Sequence, residues 1–203
     1  MILYANGDSH TFGIGVDPSQ TFCKILATHM GYDLINHAKI GASNTRILRT
    51  TREFLAHTIP DFVMIGWTTW EREEWIHDGK FFDVNSAGHD ALPCELQDRY
   101  KHWVANQTFE LMQSHSEHWH DEIYQFHREL QAIKIPHVFF NCMYNFFNAI
   151  ERDWEGCYID PYNTKKSYYW YLHDRGYITD EWYHFGSDGH KAWADVLIDH
   201  VTS

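Results

Sequence analysis

Apolar positions along the 203-residue chain fall into two rhythms. Short continuous runs at Met1 to Tyr4, Asp33 to Asn36, Phe62 to Gly66 and His137 to Cys142 read as strands. The third is unbroken, as expected in a sheet covered on both faces. Between the runs, apolar residues recur at helical spacing. Asp17-Pro18 reads as an N-cap and first-turn proline of a helix carrying Phe22, Ile25, Leu26 and Met30, which Gly31 stops. Gly41-Ala42-Ser43-Asn44 is a turn, and Ser43 or Asn44 caps a helix with Ile47, Leu48, Thr51, Phe54 and Leu55 on one face. Trp103 to Ile133 holds one long helical pattern with Trp119, Ile123, Phe126 and Leu130 as its inner stripe, ended by Pro136. A last helix turns Ala192, Trp193, Val196, Leu197 and Val201 inward. Alternating strands and helices predict an α/β chain with a parallel sheet between two helical layers. Two stretches break the alternation: 71–99, polar and without periodicity, which reads as an insertion over the sheet edge, and 143–183, aromatic and irregular.

The length suits a single domain spanning 1–203. A composition 44% hydrophobic and 22% charged is that of a globular chain, and a net charge of −12 leaves no basic footprint for nucleic acid or anionic lipid. No signal-peptide pattern and no apolar run of membrane-spanning length stands in the sequence, so a soluble protein not exported by a standard signal is expected. Cys23, Cys94, Cys142 and Cys157 are scattered, which offers no disulfide framework or zinc ribbon and fits a reducing, cytoplasmic compartment. Aromatic residues reach 17%, more than a core needs, and part of that excess is expected to line a pocket.

The chemistry-bearing residues sit where strands end. Gly7-Asp8-Ser9 stops the first strand on a small-residue turn that presents a hydroxyl at the sheet's carboxyl edge, where open α/β sheets bind ligands. A serine hydroxyl needs an adjacent base, usually a histidine oriented by an acid, and its tetrahedral intermediate needs preorganised donors. Gly7-Asp8-Ser9, the stretch Asn36 to Ser43, and Glu181-Trp182-Tyr183-His184 with its trailing Gly186-Ser187-Asp188-Gly189 turn together resemble the SGNH (GDSL-type) hydrolase superfamily, in that family's order.

The resemblance implies a three-layer, flavodoxin-like α/β/α fold with a short, mostly parallel sheet of five strands. It implies Ser9 as nucleophile, His184 as general base, and the N–H groups of Ser9 and Gly41 as oxyanion donors. In the family's third block, Gly-x-Asn-Asp, the asparagine donates to the oxyanion. Here Gly66-Trp67-Thr68-Thr69 stands there, so Thr68 is the candidate donor through its hydroxyl or N–H. The family's Asp-x-x-His spacing makes Glu181 the acid, with Asp180 beside it as competitor and a backbone carbonyl as a third possibility. No cofactor or metal is implied.

The function so implied is a serine esterase acting on short acyl esters, such as O-acetyl groups of carbohydrates, with a small-molecule or glycan ester as partner. A weakly active glycan-binding module and an O-acyltransferase are the alternatives on the same fold. Arg72 lies close to the third block and is placed to fix that loop by pairing with a carboxylate. His115, His118 and Glu122 share a helix face at metal-ligand spacing, a pattern that sixteen histidines make easy to reach by chance. Tyr168 to Tyr171, Trp182 and Tyr183 either stack on a sugar or pack the irregular segment.

Overall fold

A computed structural model describes all 203 residues. In chain order the elements are β1 (Ile2–Asn6), α1 (Ser9–Phe12), α2 (Phe22–Met30), β2 (Asp33–Asn36), α3 (Asn44–Leu55), β3 (Phe62–Trp67), β4 (Glu73–His77), β5 (Lys80–Asn85), β6 (Gly88–His89), α4 (Cys94–Ala105), α5 (Phe109–Ala132), β7 (His137–Asn141), α6 (Tyr168–His173) and α7 (Ser187–Thr202). Strands β2, β1, β3 and β7 pair in that order, all parallel.

Alternation along these strands divides the core. Leu3, Ala5, Phe62, Met64, Val138 and Phe140 face a cluster completed by α2, α6 and α7, with Phe22, Leu26, Tyr168 and Trp193 fully buried. Tyr4, Val63, Ile65, Trp67 and Phe139 face the other way, onto Ile47 and Leu48 of α3 and onto Trp119, Ile123, Phe126 and Leu130 of α5. Two helical layers therefore enclose the sheet, the α/β/α arrangement expected. No helix is long and apolar enough to cross a membrane.

Five local expectations are corrected. The parallel sheet has four strands; the fifth position is reduced to one parallel bridge, Phe139 to Tyr158. Asp17 caps only a 3-10 turn at Pro18–Gln20, and the helix proper starts afresh at Phe22 because the Thr21 side chain accepts from Lys24 N–H. The pattern from Trp103 to Ile133 is two helices, broken where Thr108 accepts from Leu111 N–H and caps α5. The irregular aromatic stretch contains the short helix α6, whose Tyr168 and Tyr169 are core residues.

The insertion is an ordered three-stranded antiparallel sheet, β4-β5-β6. Asp78 and Gly79 both take positive φ (47° and 70°) between β4 and β5, the conformation an Asp-Gly hairpin turn requires. Its Trp75 and Val84 pack on Leu92 and Leu96, giving the insertion a small core of its own. Buried Asp83 fastens this sheet to the loop after β2, accepting from Ser43 N–H (3.1 Å) and Lys39 Nζ (3.0 Å), while Arg49 pairs with Glu74 at 2.6 Å. The insertion thereby carries its Asn85-to-Gly88 turn to the carboxyl edge of the parallel sheet.

Candidate active site

Ser9 opens the one-turn helix α1, whose N-cap Asp8 accepts from His10 N–H at 3.0 Å. The turn lies flat against β3. A Cβ on Gly7 would stand 2.3 Å from Thr11 Oγ1 and 2.9 Å from the Gly66 carbonyl, and one on Gly66 would stand 2.8 Å from the Phe140 ring. Asn6 ties the turn to α3: its Oδ1 accepts from Gly7 N–H (2.9 Å) and its Nδ2 donates to the Ile47 carbonyl (3.1 Å). Lys39 N–H reaches the Gly7 carbonyl at 3.1 Å, which sets the loop after β2 beside the serine turn. Gly41 in that loop has φ 75°, a conformation that glycine adopts without strain. The N–H groups of Ser9 and Gly41 are given to no protein acceptor.

His184 belongs to a tight turn built by Asp180. Asp180 Oδ1 accepts from the N–H groups of Trp182 (2.9 Å) and His184 (2.8 Å), and its Oδ2 lies 3.3 Å from His184 Nδ1. The slight burial of Asp180 works against its charge. The two N–H bonds and the His184 ring outweigh that and hold its carboxyl below the usual carboxylate range. Glu181 points elsewhere, its Oε1 accepting from Trp182 Nε1 at 3.1 Å. The carboxylate on His184 is therefore Asp180, and the expectation for Glu181 is corrected. The turn from Asp180 to His184 spans five residues, one more than Asp-x-x-His, because Asp180 also serves as its backbone cap and Tyr183 takes φ 68°.

Thr68 is corrected as well. Its hydroxyl donates to Asp8 Oδ2 at 2.7 Å and its N–H to Asn44 Oδ1 at 2.9 Å, so neither donor is free, and the residue is buried. The threonine hydroxyl is captured by the carboxylate behind the serine turn before it can reach a substrate. Asp8 is itself buried and carries an ion pair to Arg72 Nη1 at 3.5 Å. Burial works to keep Asp8 protonated; His10, Arg72 and the Thr68 hydroxyl together overcome it and lower its pKa. Burial drives the His10 pKa down to about 4, so at neutral pH Arg72 is the counter-charge of Asp8.

Two cavities meet over Ser9, one of about 450 Å³ and one of about 670 Å³. Ser9, Arg72, Asn85, Ala87, Trp182 and His184 line both. The smaller continues past Ile14, Ile40 and Gly41 to Asp83 and His89. The larger continues between Phe109, Met112, Met143, Tyr144 and Tyr183. Trp182 and Tyr183 are exposed and face these cavities, whereas Tyr168 and Tyr169 pack inward. Reading the sequence missed the contribution of Asn85 and Ala87, although the Asp78-Gly79 pair signals the hairpin that carries them.

His115 is not part of a converging metal-donor set, nor are His118 and Glu122. The donors that converge are His127, His137 and Cys157, within 4.8 Å of one another at the amino end of β7, away from Ser9. There His127 Nδ1 lies 2.8 Å from His137 Nε2, a hydrogen-bond distance, and His137 Nδ1 lies 2.9 Å from the Ile135 carbonyl.

No protein-family profile and no curated protein matches the chain. Solved structures do match. The psychrotrophic esterase EstA from Pseudoalteromonas sp., in a structure inhibited by monoethylphosphonate, aligns over 99% of this chain and 96% of its own, with TM-score 0.53 and 11% identity. TesA aligns over 99% of this chain and 98% of its own, with TM-score 0.56 and 11% identity. At such identity the likeness is one of fold, and the chain has the SGNH-type α/β/α fold.

Proposed function

We propose that the protein is a serine esterase acting on short-chain acyl esters. The observation that carries this reading is the meeting of Ser9 and His184 at the floor of shared cavities, with Asp180 on the Nδ1 side of the histidine and two unspent N–H groups, of Ser9 and Gly41, nearby. Ser9 Oγ attacks the ester carbonyl carbon while its proton passes to His184 Nε2, and the carbonyl π pair moves onto oxygen. Asp180 holds the Nδ1 proton and stabilises the imidazolium. The tetrahedral intermediate collapses as His184 returns the proton to the departing alkoxide oxygen. Water, deprotonated by His184, then attacks the acyl-enzyme and releases the acid. The two N–H groups stabilise the oxyanion in both halves.

The cavities support a substrate class. The larger one is walled by flat aromatic rings and suits the apolar face of a sugar or another ring-bearing alcohol, with a short acyl group turned toward Ile14 and Ile40. A net charge of −12 disfavours polyanionic substrates. EstA, named an esterase, and its phosphonate inhibition are in keeping with the reading. The test is hydrolysis of p-nitrophenyl acetate by the wild type and Ser9→Ala: turnover by the wild type alone is expected, and equal rates in both remove the mechanism.

A further inference from the structure

Loss of Thr68 as a donor leaves the oxyanion with two backbone N–H groups, and beside them stands a buried carboxylate. Asp8, adjacent to the nucleophile and with a side chain 1% exposed, opposes any negative charge developing at Ser9 unless a cation intervenes. Arg72 is that cation, and it is held by contacts to the loops that follow β1, β2 and β3. Its Nε donates to Thr69 Oγ1 at 3.0 Å, and its Nη1 lies 3.4 Å from the Ala42 carbonyl and 3.5 Å from Asp8 Oδ2. These contacts occupy Nε and Nη1 and leave Nη2 uncommitted. The side chain is only 15% exposed, yet it lines both cavities together with Ser9 and His184. Gly41, the other non-serine donor, directly precedes the residue whose carbonyl Arg72 grips.

We infer that Arg72 is the third oxyanion donor, its Nη2 supplying through a guanidinium what an asparagine amide would otherwise supply. The inference rests on the esterase reading above. The donor is preorganised, because three protein acceptors fix the plane of the guanidinium before substrate arrives. It acts mainly in the transition state: a neutral ester carbonyl gains little from the charge, whereas the alkoxide-like oxygen gains the full charge-assisted hydrogen bond. No atom is transferred to or from Arg72; the proton and electron movements remain those of Ser9 and His184.

The test uses steady-state kinetics on p-nitrophenyl acetate for wild type, Arg72→Gln and the double variant Asp8→Asn/Arg72→Gln. Arg72→Gln is expected to lower kcat by about 10²–10³-fold, the range for one oxyanion donor, with KM nearly unchanged. The double variant is expected to stay slow, because removing the buried negative charge does not restore the lost donor. Recovery of wild-type kcat in the double variant would make Arg72 a counter-charge only and overturn the inference. So would an Arg72→Gln protein that keeps kcat, or one that raises KM alone.

A second measurement needs no variant. In a crystal structure of the wild type phosphonylated on Ser9, the phosphonyl oxygen that accepts from Gly41 N–H is expected within about 3 Å of an Arg72 Nη. An oxygen beyond hydrogen-bonding reach of the guanidinium overturns the assignment even if the variants fail to fold. A wild type that neither turns over the ester nor forms the adduct would instead refute the esterase reading itself.

Discussion

Replacing Asp180 by Asn alters the acid of the site with little disturbance to its frame. Asn Oδ1 still accepts the N–H groups of Trp182 and His184, now at 2.9 and 2.8 Å, so the turn keeps its shape. The change falls on the atom 3.3 Å from His184 Nδ1, which turns from an acceptor into an N–H₂ donor. Nδ1 must then accept, and the imidazole carries its proton on Nε2, the nitrogen that should take the Ser9 proton. Where the triad acid is fully buried, this exchange costs about 10⁴-fold in kcat. Asp180 is 42% exposed, so solvent screens part of its effect on the imidazolium, and a loss of about 10²-fold is expected here.

Glu181→Gln keeps an acceptor for Trp182 Nε1 and should change the rate by no more than about twofold, the scale of a surface substitution. The assay is kcat/KM on p-nitrophenyl acetate, with circular dichroism to verify folding. Near-wild-type activity in Asp180→Asn, or a larger loss in Glu181→Gln, would refute the assignment of the acid.

Burial lowers the pKa of His10, His120, His127 and His190 to about 4, so between the ordinary histidine value of about 6.5 and 4 the unfolded chain binds more protons, and stability falls as pH falls. His10 alone should remove about 2 kcal/mol by pH 5, and a urea midpoint unchanged between pH 7 and 5 would contradict this. Gly66→Ala drives a Cβ to 2.5 Å from Thr11 Oγ1 and 2.8 Å from Phe140, and should cost about 1–3 kcal/mol, read as a fall in Tm; an unchanged melt would show that the sheet yields. Trp182→Ala removes an exposed ring that lines both cavities, so KM for esters of ring-bearing alcohols should rise at constant Tm. A lowered Tm with unchanged KM would make the ring structural.

The four parallel strands and the inner stripes of α3, α5 and α7 were legible because burial on one or two faces leaves a periodic trace. Ser9 stood out because its small-residue turn interrupts that trace at the end of β1, whereas Gly41 and His184 were named through the resemblance to family blocks; the fold brings all three to the lining of one cavity. Spacing left the acid open between Glu181 and Asp180 because the choice depends on how the Asp180 turn closes, and a side chain capping its own backbone is invisible to spacing. Thr68 was misread because its donors go to Asp8 and Asn44, partners 60 and 24 residues away in sequence. The hairpin of the insertion was overlooked although its Asp-Gly turn was in plain view, because alternation in its strands is weak where Phe81 and Ile76 stay exposed.

The central claim, that Ser9 is an activated nucleophile, is tested most directly by treating the protein with a fluorophosphonate and mapping the adduct by peptide mass spectrometry. One adduct per chain on Ser9 is expected, absent in Ser9→Ala and slow to form in His184→Ala. A wild type that stays unlabelled, or a Ser9→Ala protein that labels as fast, would contradict it.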